Sequence, residues 1–226
     1  MLKKYTAPVL GGLVGALIVG GAWLTTYGVT QKGQVVAKVG DNTITRSALL
    51  KGTESLAGTQ ILSELITNQL IRDAAKKANI TASQNEVNQS LSDIEKQNGI
   101  TNDTQLNAAL AQSHMTKADL MNQLEIQVLE SKIAESKVNV TNQQIQDYYN
   151  KNKASLPKVA SKVPTLAQAK QTIISDLKKQ NAESPTQLLA DLAKQDPITI
   201  VDSSYSSVKN SIENPAPAAP GAIPGQ

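Results

Sequence analysis

Histidine is the side chain most often recruited for acid–base and metal chemistry near neutral pH. The 226-residue chain holds one, His114, within Gln112-Ser-His-Met-Thr116. A metal site needs further ligands at helical spacing, and no His-x-x-x-His or Glu-x-x-His pair stands in the sequence. Cysteine is absent, which excludes thiol nucleophiles, thiolate metal sites, disulfides and a lipid-modified cysteine. No G-x-S-x-G, Walker or G-x-G-x-x-G motif occurs. Asp93 and Glu95 are two residues apart in a helical pattern, so they point to different faces and form no poised carboxylate pair. His114 falls in a turn pattern and reads as a solvated connector. We therefore assign no catalytic residue, no cofactor and no metal ligand.

The remaining candidates are contact residues. Met115 and Met121 are flexible apolar side chains suited to promiscuous binding, although filling a core is the commoner use of such residues. Tyr148 and Tyr149 can pin the helix that carries them or line a client cleft. With no Phe and one Trp, a large aromatic-lined ligand pocket is disfavoured. The 22 basic and 19 acidic residues give a net charge of +3. Lys3, Lys4 and Lys32 flank the apolar N-terminus and account for that excess. Arginine occurs only at positions 46 and 72, with no basic run interleaved with aromatics, so nucleic acid is not a partner.

The elements that must position these residues are mostly helical. Val35, Ala37 and Val39 alternate with Val36 and Lys38, which predicts a half-buried strand. Gly40-Asp41-Asn42 supplies a turn, and Thr45 or Ser47 can cap a first helix bearing Leu49 and Leu50. A second helix carries Leu62, Ile66, Leu70 and Ala74 on one face, and Asn79 suits its left-handed cap. Ser83-x-x-Glu86, Thr116-x-x-Asp119, Thr141-x-x-Gln144 and Thr165-x-x-Gln168 open further helices as capping boxes. Leu106 and Leu110 mark a shorter one, and Ser184-Pro185 starts another with proline in the first turn. Residues 151–164, with two prolines and no period, read as a linker. Ile198-Thr-Ile-Val201 is β-prone and is expected to pair with Val35–Val39.

Both ends differ from this body. Pro8 to Tyr27 contains no charged residue, and about 20 helical residues span a bilayer's hydrocarbon thickness. We read 7–29 as a retained transmembrane anchor, since a good Ala-x-Ala cleavage site is absent after the apolar run. Lys3 and Lys4 then stay cytoplasmic within 1–6. Gly11 and Gly15, with Gly12, Ala16 and Gly20, give the small-residue spacing that can seat two such helices in a homodimer. The Pro- and Ala-rich tail, placed at 206–226, is expected to be disordered.

Val36-Ala-Lys-Val-Gly-Asp-Asn-Thr-Ile-Thr45, then Leu65-Ile66, Leu70-Ile71, Ala74, Val87, Leu91 and Val140-Thr to Tyr148-Tyr149, resembles the N-terminal domain of the SurA, PpiD and PrsA foldases. The stretch from Ala169 through Asp202 is similar to the segment with which those proteins return to complete the lobe. The resemblance implies a mainly α fold: a helical chaperone domain at 33–150, with helices at 165–205 completing it and a small two-stranded β element from the first and last segments. In those families a parvulin prolyl-isomerase domain commonly lies between the two parts, where this chain has only 151–164. The implied function is that of a chaperone, held on the extracytoplasmic side of a single-pass anchor, that binds unfolded exported polypeptides beside the translocon without catalysis. A secretion-machinery adaptor, or a prolyl isomerase of unusual type, are the alternatives.

Overall fold

Thr45 Oγ1 accepts the Ala48 amide at 3.2 Å and starts a helix that runs unbroken for 32 residues. In the computed structural model, which describes residues 34–39, 42–159 and 161–215, this helix organises the molecule. Strand β1 (Val35–Val39) pairs antiparallel with β2 (Asn42–Thr45), with an irregularity between Val35 and Ala37. The helices follow in order: α1 (Arg46–Lys77), α2 (Gln84–Gln97), α3 (Asp103–Gln112), α4 (Lys117–Ser136), α5 (Asn142–Asn152), α6 (Leu166–Asn181), α7 (Pro185–Gln195) and α8 (Ser206–Glu213).

The helix starts are built as the sequence dictates. Ser83, Thr116, Thr141 and Thr165 each accept the amide three residues on, and Glu86, Asp119, Gln144 and Gln168 reach back to the cap. Each box satisfies two otherwise orphaned donors. Glu86 is also bridged by Lys132 Nζ of α4 at 2.7 Å. That ammonium, with the Ser83 amide and hydroxyl, lowers the Glu86 carboxyl from 4.5 to about 2.

Three helix ends share one device. Asn79, Gly99 and His114 take left-handed backbone angles, with φ of 53°, 66° and 54°. The next residue's amide returns five positions back: Ile80 to Ala75 at 2.8 Å, Ile100 to Glu95 at 2.8 Å and Met115 to Leu110 at 2.9 Å. These are Schellman closures, each followed by an apolar residue that covers the end of the helix. Ile80 packs on the first core cluster, Ile100 and Met115 on the second.

The core has three parts. The first joins Leu70 and Ile71 of α1, Ile126, Leu129 and Ile133 of α4, Leu188 and Leu192 of α7, Ile198, and Val208 and Ile212 of α8. The second holds Val87, Leu106, Leu110, Leu120 and Leu124, so α4 carries both clusters along its length. The third packs Ile145 of α5 and Leu156 against Ala169, Ile173 and Leu177 of α6. Arg72 ties α1 to α4, donating to Asn122 Oδ1 at 2.6 Å and to both oxygens of Glu125 at 3.3–3.4 Å. Lys77 pairs with Asp196 at the end of α7, and Lys137 with Glu183.

Three expectations need correction. The β element is a hairpin of the first two strands and does not involve residues 198–201. The alternation there is real, but Ile198 and Ile200 turn into the first cluster, so burial against helices replaces strand pairing. The first two predicted helices are one, because Gly52 and Gly58 lower helix propensity without breaking the hydrogen-bond ladder. Residues 206–213, placed in the tail, form α8, whose Val208 and Ile212 are four apart and buried. The 151–164 connection is tied down by buried Leu156 and by an antiparallel bridge between Val159 and Lys162. The anchor expected at 7–29, with its glycine spacing, and the tail beyond 215 lie outside the described residues. Among the described residues no helix is long and apolar enough to cross a membrane.

Candidate functional site: an apolar groove on the first helix

The N-terminal and C-terminal parts of α1 have different surroundings. The last turns of α1 bury Leu70, Ile71 and Ala75. Its first 20 residues, up to position 65, leave Leu50 59% exposed, Leu56 90% and Leu65 52%. Leu50, Glu54, Gly58, Ile61, Leu62 and Leu65 recur at three- and four-residue spacing, which puts them along one side of the helix. With Tyr205 and Thr53 they line an open groove of about 380 Å³. Its walls are aliphatic and aromatic apart from Thr53, Glu54 and the tyrosine hydroxyl.

Tyr205 sets the shape of the groove. It ends a short 3-10 turn, Ser203–Tyr205, held by Asp202 Oδ1, which accepts the Ser204 amide at 2.9 Å and its hydroxyl at 2.6 Å. The Tyr205 hydroxyl donates to Glu54 Oε1 at 2.7 Å across 151 residues of sequence. That bond, with some burial, pushes the hydroxyl above the ordinary tyrosine range. The ring comes so close to α1 that a Cβ at residue 58 would lie 2.8 Å from its oxygen. A side chain at 58 would displace the end of the Tyr205 ring from the groove.

The sequence-derived contact residues stand elsewhere. Met115 and Met121 pack, partly buried, on the second cluster, and Met115 covers the closure formed by His114. Tyr148 and Tyr149 pack on the third cluster. The Tyr148 hydroxyl donates to Asp176 Oδ2 at 3.2 Å, and burial together with that partner raises its pKa. The Tyr149 hydroxyl donates to the Pro164 carbonyl at 2.8 Å. The structure thus gathers the methionines in one place and the tyrosines in another, and neither pair lines the groove. His114 is exposed and left-handed, occupying a position that glycine or asparagine usually fills. Among the described residues no cluster of three or more His, Cys, Asp or Glu could hold a metal. The groove residues were visible in sequence only as an apolar stripe, which does not reveal whether anything covers it.

Residues 50–134 match the family of SurA-like N-terminal domains. The putative peptidyl-prolyl cis-trans isomerase YacD of Bacillus subtilis is 25% identical over 147 residues, which are 64% of this chain and 47% of that protein. The foldase protein PrsA of Clostridium kluyveri is 30% identical over 115 residues, 46% of this chain and 34% of that protein. The chain spans less than half the length of these curated relatives. Among solved structures, the peptidylprolyl isomerase PrsA from Bacillus cereus superposes with a TM-score of 0.51 at 15% identity, covering 80% of this chain and 99% of that one. That is a likeness of fold. The chain is therefore similar to SurA-like N-terminal domains over residues 50–134, and to parts of the proteins named PrsA and YacD.

Proposed function

We propose that the chain is a foldase-type chaperone, anchored through residues 7–29 on the extracytoplasmic side of a membrane, that holds unfolded exported polypeptide without isomerising it. The observation that carries this reading is the open apolar groove along residues 50–65 of α1. An apolar surface left uncovered on a folded lobe marks a place where something else binds. Leu50, Ile61, Leu62, Leu65 and Tyr205 offer contacts without a sequence-specific pattern of donors, which suits varied greasy segments. The names of the relatives point the same way, and anchoring would raise the local concentration of chaperone where chains emerge. The non-catalytic part rests on the sequence: one histidine and no cysteine leave little from which to build a prolyl-isomerase site.

The test uses the full chain in lipid nanodiscs. It should slow aggregation of a chemically unfolded client, and Leu50→Asn with Leu65→Asn should remove that protection, since both side chains are more than half exposed and contribute little to the core. Isomerisation of a proline peptide should stay at its uncatalysed rate. Aggregation at the buffer rate would refute holding, and a catalysed isomerisation rate would return the enzyme reading.

A further inference from the structure

The hairpin ahead of α1 is a second uncovered surface, distinct from the groove. All five residues of β1 are exposed, and among the apolar ones Val39 is 67% exposed. Ile44 of β2 and Leu49 in the first turn of α1 extend the patch. Leu49 and Leu50 are adjacent on a helix, about 100° apart, so Leu49 lies off the groove face. A two-stranded hairpin alone is marginal in water, and its outer edges present unpaired backbone groups. This hairpin joins the helical body at the start of α1, where the Arg46 amide donates to the Gln34 carbonyl at 2.7 Å.

Charge and chain length indicate what covers it. Residues 32–51 contain four basic side chains, Lys32, Lys38, Arg46 and Lys51, against one acidic, Asp41. Residues 52–226 contain 16 basic against 18 acidic. The positive charge of the lobe is thus concentrated where its apolar residues are uncovered. That combination fits the interface of a bilayer rich in anionic lipid, apolar side chains entering and lysines reaching the headgroups. Five residues lie between position 29 and Val35, so the strand starts at most about 20 Å from the end of the apolar segment. A headgroup layer is about 5–8 Å thick.

We infer that the β1–β2 hairpin and the first turn of α1 dock on an anionic membrane surface, Val39, Ile44 and Leu49 entering the interface and Lys38 and Lys51 reaching lipid phosphates from its edges. Docking would fix the lobe's orientation, leaving the groove on another side of α1 open to polypeptide. The inference rests on the anchored reading above, and the test separates the two.

The chain has no cysteine, so single-cysteine variants of the full protein can be spin-labelled without background. Labels go at Val39, Leu49, the exposed control Gln112 on α3, and Val14 within the apolar segment. Each is read for accessibility to lipid-soluble oxygen and to a water-soluble nickel chelate. The protein is reconstituted in vesicles of phosphatidylcholine alone or with phosphatidylglycerol. Docking predicts lipid-like accessibility at 39 and 49 with phosphatidylglycerol, water-like accessibility at 112, and a weaker lipid signal at 39 and 49 in phosphatidylcholine. Lys38→Gln with Lys51→Gln should lower the docked-to-free ratio about 25-fold, fivefold for each lysine. Water-like labels at 39 and 49 overturn the inference whatever position 14 reports. Labels there shielded from both reagents overturn it too, assigning the face to a second copy or another protein. Position 14 reports the anchor independently: lipid contact at 39 and 49 without it would support docking and refute anchoring.

Discussion

Gly58→Ala is the substitution whose outcome depends most directly on the two ends of the chain meeting. In an exposed helix interior, replacing glycine by alanine stabilises by about 1 kcal/mol. Here the new Cβ would lie 2.8 Å from the Tyr205 oxygen, 3.1 Å from its Cε1 and 3.3 Å from Glu54 Cγ. Tyr205 must swing away, and its 2.7 Å hydrogen bond to Glu54 is lost. A bond of that kind contributes about 1 kcal/mol net, so gain and loss nearly cancel in the wild-type background. In a Tyr205→Ala background the obstacle is gone, and Gly58→Ala should stabilise by the full value of about 1 kcal/mol. Thermal and urea unfolding of the four proteins, followed by helical circular dichroism under one set of conditions, gives a coupling energy of about 1 kcal/mol. Tyr205→Phe removes the oxygen and keeps Cε1, so its coupling should fall between. If Gly58→Ala stabilises equally in both backgrounds, residues 54–58 and 205 do not touch, and the groove as described does not exist.

Further outcomes follow from the helix ends and the contact residues. His114→Gly should raise stability by about 1 kcal/mol in the same unfolding assay, because the position is left-handed and glycine adopts it without strain; lower stability would mean that the imidazole makes a contact of its own. The Glu86 carboxyl is held at about 2 against an ordinary 4.5, so its contribution is present above 4.5 and lost as pH falls through about 2. Since both Glu86 and Lys132 are more than a third exposed, solvent screening limits that contribution to about 1 kcal/mol. Stability measured between pH 6 and pH 2 should therefore decline more steeply in the wild type than in Glu86→Gln. Met115→Leu with Met121→Leu should leave client protection unchanged, since both side chains pack on the second cluster; lost protection in a stably folded variant would move the binding surface to them.

What could be read before the fold was known depended on local chemistry. The four capping boxes, Pro185 in its first turn and the left-handed Asn79 are fixed by groups within a few residues of one another, and all are present. Long-range choices were not legible. Lys51 to Gln60 carries few apolar residues and two glycines, so its continuity within α1 depends on the absence of a real breaker rather than on a positive signal. Ile198 and Ile200 have the same alternation whether they pair as a strand or pack on helices. Val208 and Ile212 are too few to announce a helix, yet both are buried. His114 was legible as a connector, but not as the residue that turns Met115 inward. The groove escaped for a related reason. Leu50, Ile61, Leu62 and Leu65 look the same in sequence as the residues that fill the core, and only the absence of a covering helix among the described residues distinguishes them.

Site-specific photocrosslinking in cells tests the central claim most directly. A photoreactive residue at position 65, on the rim of the groove, should capture many exported polypeptides of different sizes while they are being secreted, whereas the same probe at the exposed Gln127 of α4 should capture few. A single stoichiometric partner at position 65 would identify an adaptor, and equal capture at both positions would show that the groove does not hold clients.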